Sequence, residues 1–247
     1  MARTVNSVRA ILVVAALALV GCHGTQPVPV EEASRPALGL MGTLPIYWPE
    51  TDNFGELLDG TGETGWVRAT LEQSYTLEPL DTLDAESLAG LERLLLAQPR
   101  ALSPAENVAL DNWVRAGGKL LLFADPLVTR HSRYGLGDSR RPQDVILLSP
   151  ILQRWGLDLT FSEDQQRGHR LETAFGAGHP VDLAGTFALR PTEAPADCEI
   201  EGAGVAARCT IEKGRLVAFA DTALLDEEAE AAGRALLEAL LAQSFAQ

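Results

Sequence analysis

The stretch LSPAENVALDNWVRAGGKLLLFADP, residues 102–126, passes from a well-marked helix straight into a buried strand, and few folds accommodate that junction. Ser103, Pro104 and Glu106 have the spacing of a capping box with proline at the first helical position. Leu110, Trp113, Val114 and Gly117 share one helical face, which predicts its burial. Gly117 and Gly118 offer the conformational freedom that ends a helix, and KLLLF follows at once. Its unbroken run Leu120–Phe123 must be covered on both faces, which points to a parallel sheet with helices above and below.

The same alternation recurs along the chain. LGLMGTLPIYW (38–48) reads as a first buried strand, GWVRATLEQ as a helix, SYTLEPLD as a strand and LERLLLAQP (91–99) as another buried strand. SPILQRWG predicts a short helix, and residues 169–211 carry several short strand-like pieces punctuated by glycine, an inserted antiparallel hairpin section. GRLVAFAD (214–221) repeats the pattern of a buried strand ending on aspartate, and DEEAEAAGRALLEALLAQSF predicts a closing amphipathic helix with acids in its first turn. The expectation is one α/β domain over residues 37–247, a mostly parallel sheet with helices on both faces.

The amino-terminal segment bears on location. Arg3 and Arg9 precede the apolar run AILVVAALALVG, which is too short for a span and has the form of a secretory leader over residues 1–21. It ends in Leu19-Val20-Gly21-Cys22, which resembles the lipobox of bacterial lipoproteins, so Cys22 is the expected lipidation site; a plain secretory leader with an incidental Cys22 is the alternative. His23 in place of aspartate leans, by resemblance to enteric lipoproteins, toward the outer membrane. Residues 22–36, rich in proline, glutamate and small polar residues, read as a flexible tether. The expected partners are therefore a membrane, through the lipid anchor, and an envelope protein. The formal net charge of −14 opposes non-specific contact with phosphate backbones and excludes that class of nucleic-acid binder.

With Cys22 assigned to lipid, Cys198 and Cys209 remain as an even pair in an exported chain. Gly202 and Gly204 between them suit a hairpin that brings the two together, so a disulfide is expected; two buried free thiols are the alternative.

Nucleotide and hydrolase fingerprints are missing. There is no GxSxG, no GxxxxGK[ST] and no GxGxxG after a strand, and no cofactor is expected. His169, Glu172, His179 and Asp182 match no standard ligand spacing and read as exposed loop residues, so no metal is expected. Trp48, Trp66, Trp113 and Trp155 lie in or beside apolar runs and read as core. The polar residues that invite a functional reading follow the strand KLLLF. Asp125, before Pro126, stands where open α/β sheets place ligands, and Arg130, His131, Arg133, Arg140 and Arg141 reverse the local sign of an acidic chain. Two roles are open for them. Asp125 shapes the turn or meets a ligand; the arginines recognise an anionic partner or pair with neighbours such as Asp138 and Asp144.

Three segments carry a family resemblance. LSPAENVALDNWVRAGGKLLLFADP, LLSPILQRWGLDLTF and EKGRLVAFADTALLD resemble the auxiliary components of uncharacterised ABC-type transport systems, the gliding-motility GldG-like family. Members are similar in fold to class I glutamine amidotransferases, which implies a flavodoxin-like sheet. Amidotransferases place a nucleophilic cysteine at the turn after a central strand; here no cysteine occupies such a turn. The resemblance implies a non-enzymatic binding or scaffold module beside an ABC transporter. An extracytoplasmic hydrolase using Asp125 and Asp221, or a purely structural envelope lipoprotein, are the alternatives.

Overall fold

The computed structural model describes residues 35–51, 64–193 and 196–246; the expected leader, Cys22 and most of the expected tether lie outside them. The chain runs β1 (Ala37–Gly42), α1 (Trp66–Ser74), β2 (Thr76–Pro79), β3 (Arg93–Ala97), α2 (Pro104–Ala116), β4 (Lys119–Phe123) and α3 (Ser149–Arg154). It continues with β5 (Leu157–Thr160), β6 (Arg170–Ala174), β7 (Ala177–Val181), β8 (Thr186–Leu189), β9 (Asp197–Glu201), β10 (Ala206–Ile211), β11 (Gly214–Phe219) and α4 (Glu230–Phe245).

Seven strands form one sheet in the order β2-β1-β3-β4-β11-β10-β9. The first five in that order are mutually parallel, and β10 and β9 continue the sheet antiparallel. Counting the parallel strands alone gives 2-1-3-4-5, the flavodoxin-like order. The antiparallel section is thus partly an extension of the main sheet rather than wholly an insertion. Only β5 with β8 and β6 with β7 stand apart as two-stranded pairs.

Strand geometry sends alternate side chains to opposite faces, and the two faces have separate cores. Leu95, Leu121, Phe123, Val217 and Phe219 pack with Trp66, Val67 and Leu71 of α1 and Leu237, Leu240 and Leu241 of α4. Leu94, Leu96, Leu120, Leu122 and Leu216 pack on the other side with Leu110 and Val114 of α2 and Ile151 and Leu152 of α3. Burial on both faces is why these strands tolerate unbroken leucine.

The α2–β4 junction forms as its sequence dictates. Glu106 N donates to Ser103 Oγ and Ser103 N donates back to Glu106 Oε2. Gly117 ends the helix at φ 126, and a Cβ on Gly118 would stand 2.4 Å from the Trp113 ring. Two boundaries differ from expectation. The apolar run 38–48 is strand only to Gly42: Thr43 makes the last bond toward β3, to the Gln98 carbonyl, and Pro45 then lacks a ladder donor. The closing helix starts at Glu230, after a separate 3₁₀ turn at Glu227–Ala229.

Candidate functional site

The chain leaves β1 toward β2 on one side and returns as β3 on the other, which opens a crevice beyond their carboxyl ends. A Cβ on Gly42 would lie 2.1 Å from the Ala97 carbonyl oxygen, so glycine is what lets β1 close on β3 here. Gln98, fully buried and at φ 51, ties the crevice loops together. Its Nε2 donates to the carbonyl oxygens of Asp125 (2.8 Å) and Gln143 (3.0 Å), and its Oε1 accepts from Asp125 N at 2.8 Å. Thr43 Oγ1 donates to the Gln98 carbonyl at 2.6 Å and accepts from Gln143 N at 2.9 Å. Neither Thr43 nor Gln98 stands out in the sequence, although a polar residue closing the run RLLLA was a usable cue.

Beside this knot lies a cleft of about 260 Å³ lined by Tyr47, Trp48, Pro79, Asp81, Tyr134 and Arg140 among others. Trp48 is 58% exposed, which overturns its assignment to the core. The remaining tryptophans are buried or half-buried as expected.

Asp125 and Asp221 stand at the ends of adjacent strands, Phe123 being paired with Phe219. They are 1% and 3% exposed. Asp125 Oδ1 accepts from Leu127 N at 2.8 Å, while Oδ2 accepts from Thr222 N and Oγ1 at 3.2 and 2.8 Å. Asp221 accepts from Ala223 N at 2.6 Å and Asp182 N at 2.9 Å. Burial pushes both carboxyls upward, and the charge of Asp125 pushes Asp221 further. These side chains shape turns with their oxygens and lie out of reach of solvent.

The arginine segment divides into two groups. Arg140 chelates Asp138 (Nη2 to Oδ2, 2.7 Å) with its guanidinium 4.2 Å from the Tyr134 ring centroid, and Arg141 pairs with Asp144 at 3.1 Å. These are the acids that the sequence offered as local partners. Arg130, His131 and Arg133 turn instead toward a polar cleft of about 620 Å³, shared with Glu50, Glu227, Glu230 and Arg234. Arg130, its side chain 14% exposed, faces Asp226 at 3.7 Å, and Arg130 Nε and Asp226 Oδ1 have no hydrogen-bond partner among the described residues. Burial raises Asp226 to about 6 against the opposing pull of Arg130.

Cys198 and Cys209 face each other across β9 and β10 and are bonded. His169 is exposed, but His179 is buried on β7, where Nε2 lies 3.1 Å from the Ala174 carbonyl and burial lowers its pKa. It packs on Phe219, which replaces the loop position expected for it. Among the described residues no group of three or more His, Cys, Asp or Glu is placed to hold a metal ion, and no helix is long and apolar enough to cross a membrane.

Residues 38–179, more than half of the chain, match the family described as an ABC-type uncharacterized transport system. No curated protein matches the chain. Among solved structures it is similar to the exo-β-1,4-mannosidase Op5Man5 from Opitutaceae bacterium strain TAV5, with 12% identity and a TM-score of 0.47 over 84% of this chain and 36% of that one. For a β-galactosidase from Bacillus circulans sp. alkalophilus the values are 10% identity and TM-score 0.45, over 85% of this chain and 31% of that one. A putative ThuA-like protein from Bacteroides uniformis ATCC 8492 shares 10% identity with a TM-score of 0.43, over 86% of this chain and 94% of that one. The chain therefore spans about a third of the length of the two glycosidases.

Proposed function

The chain belongs to the family of ABC-type uncharacterized transport systems, and from that premise we propose that it is a non-enzymatic binding or scaffold component of such a system, facing the periplasm and held at a membrane by lipid on Cys22. The observation that carries this reading is the contrast at the carboxyl end of the sheet. The strand-end acids that a hydrolase would use are buried and occupied by main-chain donors, whereas the open space beside them is walled by Tyr47, Trp48 and Tyr134. A general acid or base must come within hydrogen-bond reach of the group it serves, and Asp125 and Asp221 are both nearly sealed from solvent. Aromatic surface around a cleft suits recognition instead.

Pro36 leads into the amino end of β1, so the crevice stands at the far end of that strand from the point where the tether joins. His23 after Cys22 favours the outer membrane as the anchoring surface. The test is affinity isolation of the full-length native protein from detergent-solubilised membranes. Recovery of an ABC ATPase and its permease is the expected result; their absence after chemical crosslinking in intact cells overturns the proposal.

A further inference from the structure

The crevice has features of a particular kind of recognition surface. Tyr47 and Trp48 meet edge to face with ring centroids 4.9 Å apart. Arg68 fixes Tyr47 from behind, its guanidinium 4.3 Å from the ring centroid and its Nη1 donating to the Tyr47 carbonyl at 2.9 Å. Tyr134 is held by Arg140 against its face and by its own hydroxyl, which donates to the Thr51 carbonyl at 3.1 Å. Tyr134, 9% exposed, forms the floor, and Tyr47 and Trp48 are placed above it before any ligand arrives, which lowers the ordering cost of binding. Trp48 presents most of its surface to solvent, and its indole N–H has no hydrogen-bond partner among the described residues.

An exposed indole set edge to face against a held tyrosine suits one backbone form above others. A polyproline II segment has no internal hydrogen bonds, so its carbonyls are free to accept, and its pyrrolidine rings lie flat against aromatic faces. It also arrives with little conformational entropy left to lose. A helix, about 10–12 Å across with its side chains and with most carbonyls already satisfied, matches neither the cleft of about 260 Å³ nor the indole donor.

Charge narrows the ligand further. Asp81 lines the cleft with an exposed carboxylate, and Glu78, Asp84 and Glu86 continue an exposed acidic edge from it. Arg68 pairs with Glu72, Arg140 with Asp138 and Arg100 with Glu106, Arg100 also donating to the Asp81 carbonyl at 2.7 Å, and the acids along this edge outnumber them. The edge therefore favours a cation. We propose that the crevice docks a proline-rich, basic extended segment of a partner protein against Tyr47 and Trp48, with Asp81 taking its positive charge. This rests on the binding role proposed above and names its ligand class.

The probe is a synthetic polyproline peptide with arginine at each end, titrated into the full-length protein at low salt while tryptophan fluorescence is followed. Saturable binding with Kd below about 1 mM is expected, with Trp48→Ala weakening it at least about tenfold and Asp81→Asn reducing both affinity and salt dependence. Trp48 is exposed, so its replacement leaves the core intact, and Trp48→Phe is expected to retain most of the binding. No saturation, equal binding by the peptide with alanine in place of proline, undiminished binding by Trp48→Ala, or Trp48-dependent binding of a neutral oligosaccharide in its place overturns the proposal. The chain's own Pro27 and Pro29 supply a further arm: if Pro27→Ala with Pro29→Ala tightens peptide binding at least about tenfold, the cleft holds its own tether and a partner ligand is overturned. Trp48→Ala still isolated with transporter subunits, yet unable to bind the peptide, leaves both readings standing; loss of peptide binding by the parent with subunits still isolated overturns this one alone.

Discussion

The Gln98 side-chain amide bonds both main-chain groups of Asp125, accepting from its N–H and donating to its carbonyl at 2.8 Å each. This reciprocal pair satisfies a backbone that has left the β4 ladder without reaching water. Gln98 occupies the left-handed region at φ 51 to make it, a conformation that costs a residue other than glycine roughly 1–2 kcal/mol. The strain is offset by the number of groups one side chain joins, since β3, β4 and the segment around Gln143 all converge on it.

Gln98→Ala leaves the Asp125 N–H unsatisfied in a dry site, while its carbonyl keeps the Ile146 N–H at 3.1 Å, and one such orphaned group costs about 1–3 kcal/mol. A loss of roughly 1–3 kcal/mol is expected in urea unfolding followed by circular dichroism. A loss under about 1 kcal/mol shows that water replaces the amide and removes Gln98 as the organiser of the crevice.

The disulfide ties the outermost pair of the main sheet. Cys198 and Cys209 are 11 residues apart in sequence and directly opposed in register, so the bridge closes a short loop. Replacing both with alanine is expected to cost about 2–3 kcal/mol, seen as a lower midpoint in urea. Intact mass after alkylation without reductant is expected to show both thiols protected. Free thiols in freshly isolated protein contradict the bond.

Acid is expected to stabilise this fold over part of its range. Burial holds Asp226 at about 6, and a carboxyl raised in this way binds its proton more tightly folded than unfolded. Its contribution is complete below the unfolded value of 3.8 and is lost as pH rises through about 6. Between pH 7.5 and pH 5 one such group yields on the order of 1 kcal/mol, and Asp125 and Asp221 act in the same direction. Glu106, held down to about 2 first by Arg100, acts oppositely, but only as pH falls below the ordinary carboxylate range. Urea midpoints at the two pH values should therefore favour pH 5, with a smaller difference in Asp226→Asn. An Asn variant with the parent's full pH dependence assigns the effect elsewhere.

Much of this architecture was legible because local and global signals agree. Ser103, Glu106, Gly117 and Gly118 mark α2 and its junction, and leucine at successive positions of β3 and β4 announces burial on both faces. The crevice was less legible, because its members come from turns whose positions depend on strand order. Trp48 looks like core when read along LGLMGTLPIYW, yet the chain turns at Thr43 and brings it to the surface. His179 shows the reverse: polar neighbours suggested a loop, while pairing of β7 with β6 and contact with Phe219 bury it. Gln98 is invisible to periodicity, since what it satisfies lies 27 residues away.

The membrane attachment proposed above rests on Cys22, which lies outside the described residues. Cys22→Ser is expected to move the protein from the membrane to the soluble fraction, because retention depends on acyl chains that the variant cannot receive. Unchanged sedimentation with membranes excludes lipid as the anchor.

Arg130 and the Arg140–Arg141 pair are expected to respond oppositely to replacement, although all three come from one basic stretch. Arg140 and Arg141 meet Asp138 and Asp144, pairs with substantial solvent exposure on one side or both, and pairs of that kind contribute roughly 0–1 kcal/mol. Arg140→Ala with Arg141→Ala should change urea stability by no more than about 1 kcal/mol, the Tyr134 stacking included. Arg130 is different because its guanidinium is largely enclosed beside a carboxyl that burial already disfavours as an anion. Removing it leaves Asp226 with Asp125 and Glu228 as the nearby charges that raise it, alongside the weaker help of His169. Arg130→Ala should therefore lower stability by about 1–3 kcal/mol at pH 7.5 and by less at pH 5, where Asp226 takes up a proton. Equal losses at both pH values show that Arg130 acts through packing alone. A double variant at 140 and 141 that costs more than Arg130→Ala reverses the assignment of the two groups.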